Sequence, residues 1–99
     1  MSHHPGVVAL SGELDTPQFV AVHGALAAAL ADDQPEVIVN LSAVRFLDAG
    51  TIRLLLEARQ AAIDAGRRLR VSGAGAAVRH VIEASAAGHQ LFDTAEHTR

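Results

Sequence analysis

The chain contains no cysteine, which excludes disulfides, thiolate metal sites and thiol nucleophiles together. Tryptophan and tyrosine are also missing, and the three aromatics are all phenylalanine. The stacking platforms that single-stranded nucleic acid and sugars require therefore have little to be built from. Eight Lys and Arg stand against eleven Asp and Glu, a formal charge of −3, so no basic field attracts nucleic acid or anionic lipid. The first apolar run, Val7 to Leu10, is preceded by no Lys or Arg. It is too short for a signal-peptide core or a membrane span, and the expectation is a cytoplasmic chain without a membrane span. Asn40-Leu41-Ser42 matches the glycosylation sequon, which has no use in that compartment.

What remains is 99 residues, 49% hydrophobic and 19% charged. That length suits one domain, and that balance suits a compact globule rather than a disordered chain.

Alternating periodicities organise it. Val7 to Leu10, continuing toward Leu14, reads as a buried strand in which Gly12 marks a bulge or close backbone approach. Asp15-Thr16-Pro17 is a helix-start signal, and Phe19, Val22, Leu26, Ala29 and Leu30 follow at helical spacing. Asp32 to Pro35 is a polar stop. Glu36 to Leu41 is nearly continuous in β-branched residues, a pattern that predicts a central strand covered on both faces. Asp48 stands where a cap belongs, ahead of Ile52, Leu55, Leu56, Ala62 and Ile63 on one helical face, with Arg53, Glu57, Gln60 and Asp64 opposite. Gly66 ends that helix. Arg67 to Ser72 reads as a strand and Ala76 to Ala86 as a third helix with Val78, Val81 and Ile82 inward, closed by Gly88. A short extended piece with Leu91-Phe92 as an apolar anchor completes the order. Strand and helix in strict alternation predict an α/β fold: a small mixed, mostly parallel β-sheet with helices packed against it.

Catalytic patterns are sparse. Of the six histidines, His3 and His4 lie at the terminus, and His23, His80, His89 and His97 stand apart without HxxxH or HxH spacing on an ordered element, so no metal is expected. Gly73-Ala74-Gly75 follows a strand and opens a helix, but Val78 takes the third glycine's place and no acidic residue ends a second strand about 20 residues on. The serines have no GxSxG setting. Neither a catalytic constellation nor a cofactor is predicted.

Arg45 to Ile52 is the informative segment. An Asp48 cap would accept hydrogen bonds from amides near Gly50 and Thr51, and first-turn positions are expected to face solvent. A phosphorylated hydroxyl there would gain from the helix dipole, against repulsion from Asp48 and Asp15.

Leu10-Ser11-Gly12-Glu13-Leu14-Asp15, Val37-Ile38-Val39-Asn40-Leu41-Ser42 and Phe46-Leu47-Asp48 before an Ile/Leu-rich helix resemble the STAS domains of anti-sigma factor antagonists. Gly66 to Val71, Ala76 to Glu83 and the closing Leu91-Phe92 continue the likeness in order, from about Val7 to Asp93. The resemblance implies a non-catalytic domain that binds an anti-sigma factor, a serine kinase of ATPase fold, and so releases a sigma factor. The kinase would phosphorylate a Ser or Thr at the start of the second helix and so break the complex, by adding about −1.5 to −2 charges. Asp15, Asp48, Ala49, Gly50, Thr51 and Arg53 would form the partner surface.

Two departures alter that picture. Gly50 occupies the phosphoacceptor place, so the switch is absent or shifted to Thr51, about 100° further round the helix. Asn40 stands where the family commonly has Asp. The resemblance also implies an extra first strand, and only six residues precede Val7. Residues 1–6 are expected as a flexible terminus, 7–93 as the domain and 94–99 as a tail, with an open sheet edge that a homodimer or partner would cover. The alternative reading is a STAS module that regulates a transport ATPase or another assembly structurally, without phosphorylation.

Overall fold

The computed structural model describes residues 2–4 and 6–92. The chain forms β1 (Ser2–His4), β2 (Val7–Leu14), a 3₁₀ turn (Thr16–Gln18), α1 (Phe19–Ala31), β3 (Glu36–Leu47), α2 (Ala49–Asp64), β4 (Arg68–Ser72), α3 (Ala76–Ala84) and a 3₁₀ helix (Gly88–Phe92). One four-stranded sheet has the order β1-β2-β3-β4. β2, β3 and β4 run parallel through helical crossovers, and β1 is antiparallel to β2. The α/β architecture read from the sequence is the one observed.

Register places Val8 beside Val39 and Val39 beside Val71, so a row of β-branched side chains crosses three strands. These residues are buried with Leu10, Leu14, Val37, Leu41 and Leu69 in one core, and Val22, Leu26, Leu55, Ala62, Val78, Ile82 and Leu91 close it from the helices and the last 3₁₀ helix. At about 25 cal/mol per Å² of apolar surface, such burial is the main force holding the layers together.

Several expectations are corrected. β3 is not covered on both faces: from Glu36 to Leu41 buried residues alternate with half-buried ones, because only one face of the sheet enters the core. β3 also continues to Leu47, since β2 keeps pairing through Glu13–Phe46 and Leu14–Leu47. Register shifts flank Gly12, whose φ of 86° permits the irregular backbone. Residues 2–4 form an edge strand rather than part of a flexible terminus, because β2 offers an open ladder to them. The tail at 94–99 lies outside the described residues.

α2 ends as read: Gly66 (φ 77°) donates to Ile63 and Arg67 to Ala62 in a left-handed helix stop. Ile63 and Val81, expected inward, are exposed because the buried stripes of their helices pass through Ala62 and Ile82 instead. α3 stops at Ala84, and the final segment is a 3₁₀ helix, not extended chain. Gly88 packs so closely that a Cβ there would come within 1.9 Å of the Ile82 carbonyl oxygen.

Candidate functional site

β2 and β3 end side by side at Leu14 and Leu47, and each delivers an aspartate to the start of a helical segment. Crevices at the carboxyl ends of parallel strands are the usual place for ligands in α/β folds. Here two chain crossings meet at that end.

Asp48 caps α2. Its backbone is extended (φ −107°, ψ 177°), and its Oδ1 accepts from the Thr51 amide at 2.9 Å. The Asp48 amide donates to the Leu14 carbonyl at 3.2 Å, and the Thr51 hydroxyl donates to that same carbonyl at 2.8 Å. Oδ1 of Asp48 lies 3.0 Å from the same hydroxyl. The end of β2 is thus tied to the first turn of α2, which fixes Asp15 relative to Asp48. Asp15 does not cap: its side chain makes no such bond, and its carbonyl accepts from Gln18 at 2.8 Å.

The first turn of α2 does not face solvent throughout. Ala49 is exposed and Gly50 half-buried, but Thr51 is wholly buried. Its hydroxyl is turned inward onto the β2 terminus, away from solvent, an orientation that the sequence left open. Gly50 lies under the Phe19 ring: a Cβ there would sit 2.2 Å from Cζ. Any side chain at position 50 requires that ring to move.

Of the six residues named for a partner surface, Asp15, Asp48, Ala49 and Gly50 gather at this corner. Thr51 lies beneath it. Arg53 points along the exposed side of α2 and pairs with Glu57 one turn on, at 3.3 Å. Arg45 pairs with Glu13 at 3.1 Å across the same end of the sheet. Asn40 Oδ1 accepts from the Ser42 amide at 2.8 Å, a local turn-like bond. Phe19 was not foreseen as part of the corner, because its contact with Gly50 spans two separate helices and leaves no local pattern.

Among the described residues, no three His, Asp or Glu side chains converge as metal ligands, and no helix is long and apolar enough to cross a membrane. The corner can offer carboxylates, exposed backbone and apolar surface to another macromolecule.

A family model described as "Mlab, STAS domain" matches residues 1–93. No curated protein matches the chain.

Proposed function

The chain belongs to the STAS domain family, and from that footing we propose that it is a non-catalytic docking subunit that regulates an ATPase-containing assembly without being phosphorylated itself. STAS domains are in general regulatory, protein-binding domains. The finer reading rests on one observation. The phosphoacceptor place is Gly50 beneath Phe19, and the next hydroxyl, on Thr51, is fully buried and bonded to Leu14. A phosphoryl group on Thr51 would put about two negative charges into the core, where an unpaired charge is strongly unfavourable. Docking through Asp15, Asp48, Ala49 and Gly50 needs no such group. A structural regulator of a transport ATPase fits this best, acting on the cytoplasmic side.

A second reading, antagonism of an anti-sigma serine kinase, draws on the ordered segments Leu10 to Asp15, Val37 to Ser42 and Phe46 to Asp48. It would have to operate without the phosphate switch. Affinity capture from native lysate, with mass spectrometry of the recovered chain, separates the two. Recovery of a transport ATPase with Thr51 unmodified is expected. A serine kinase partner would establish the second reading, and phosphate on Thr51 would overturn the unswitched mechanism.

A further inference from the structure

Thr51 is the one polar side chain buried among the described residues, in a core otherwise made of aliphatic groups. Valine has the same branched shape and carries no hydroxyl to desolvate, and desolvating a hydroxyl is unfavourable unless it is bonded. Packing therefore accounts for a branched residue at this position but not for its oxygen. That oxygen donates to the Leu14 carbonyl at 2.8 Å and lies 3.0 Å from Asp48 Oδ1.

Each contact bears on a carboxylate at the corner. The Leu14 carbonyl belongs to the peptide unit that leads into Asp15. The unit is planar, so the direction of its oxygen sets the direction in which the Asp15 backbone leaves β2. Asp15 has no capping bond of its own to hold it, and its backbone is extended (φ −126°, ψ −172°). With the hydroxyl removed, the Leu14 carbonyl keeps the Asp48 amide, at 3.2 Å.

Asp48 is held from the other side. Its Oδ1 takes the Thr51 amide at 2.9 Å with the Thr51 hydroxyl beside it, and no donor among the described residues reaches Oδ2. One side chain thus orients two carboxylates at neighbouring strand ends, while it is itself wholly inaccessible. Gly50, in the phosphoacceptor place, offers no hydroxyl, and the one on the next residue is committed inward.

We propose that Thr51 is the positioning residue of the docking corner: its buried hydroxyl fixes the relative placement of Asp15 and Asp48 that a partner protein reads. This rests on the reading of the chain as a docking subunit and deepens it, because the fit of that surface then depends on a side chain out of the partner's reach.

The test compares two variants of the full chain. Thr51→Val keeps the shape and loses the hydroxyl, whereas Thr51→Ser keeps the hydroxyl and loses the methyl. Each removes one small interaction from the same buried place, so the urea midpoint should fall by comparable amounts in both. Exchange of the Asp48 amide, which shares the Leu14 carbonyl with the hydroxyl, should be about tenfold faster in Thr51→Val than in Thr51→Ser. Affinity capture from native lysate, with equal amounts of each folded chain as bait, reads the docking itself. Thr51→Val should recover about tenfold less of the wild-type chain's partner, and Thr51→Ser should match wild type to within about twofold, the size expected when one hydrogen bond to a charged group is displaced. Recovery by Thr51→Val equal to wild type would overturn the proposal. Equal losses with both variants would overturn it too, since the effect would then follow stability and not the hydroxyl. Equal Asp48 exchange in the two variants would overturn the hydrogen-bonded placement on which the proposal stands. A wild-type chain that recovers no partner would overturn the docking reading instead, and the exchange comparison would still decide whether the hydroxyl holds the corner.

Discussion

Replacing Thr51 tests whether the α2 cap is a buried clamp or an accessible modification site. Thr51→Val preserves shape and removes only the hydroxyl. That hydroxyl has one proton, so it satisfies the Leu14 carbonyl at 2.8 Å or Asp48 Oδ1 at 3.0 Å, one at a time. Both acceptors keep another donor after the change: Leu14 retains the Asp48 amide and Oδ1 retains the Thr51 amide. No buried group is orphaned, and the expected loss is that of one hydrogen bond, about 1 kcal/mol. For a domain of this size that lowers the melting temperature by about 4–8 °C. Thr51→Glu is a different perturbation, because position 51 is wholly inaccessible and the hydroxyl's neighbours there, the Leu14 carbonyl and Asp48 Oδ1, are acceptors that a carboxylate cannot satisfy. The expected loss is about 3–5 kcal/mol, enough to remove much of the stability of a small domain. With neither tryptophan nor tyrosine in the chain, the measurement is urea unfolding followed by far-ultraviolet circular dichroism. A Thr51→Glu variant with the wild-type urea midpoint would refute the buried placement and return Thr51 to the phosphorylation candidates.

Three further outcomes follow from close contacts. Gly50→Ser should destabilise by about 1–3 kcal/mol through collision with Phe19, and combining it with Phe19→Ala should remove most of that penalty in a double-mutant cycle; strict additivity would show that the ring does not cover position 50. Arg67→Ala should cost about 2 kcal/mol, because its guanidinium closes the end of α1 by donating to the carbonyls of Leu30, Asp32 and Gln34. Amide exchange in the last turn of α1 should accelerate with it, and unchanged protection there would count against the clamp. Gly88→Ala should cost about 3 kcal/mol or more, since the added methyl meets backbone, at Ile82, rather than a side chain that can swing away; a urea midpoint equal to that of the wild type, measured in the same assay, would refute that packing.

The helices and strands were legible wherever one period dominated. β2 and α2 appeared nearly at their observed bounds, because Asp48 caps one end of α2 and Gly66 stops the other through purely local bonds. Errors arose where a neighbour decided. A run such as Val37-Ile38-Val39 reads the same whether its second face is covered or half open, because β-branched residues suit both. The extension of β3 to Leu47 depends on the length of β2, and the edge strand Ser2–His4 depends on β2 having a free ladder. Val81 and Ile63 sit one position from the buried stripe, where a small rotation of the helix decides which residue turns inward.

The candidate corner divides in the same way. The aspartate cap, the missing hydroxyl at Gly50 and the STAS-like order of segments are properties of the chain as written, since each depends on residue type and short-range spacing. The burial of Thr51, the Phe19 ring over Gly50 and the failure of Asp15 to cap were decided by tertiary structure. Each joins segments more than thirty residues apart or follows from the path of the chain between them, and periodicity along the sequence has no means of recording which side of a helix another segment will cover.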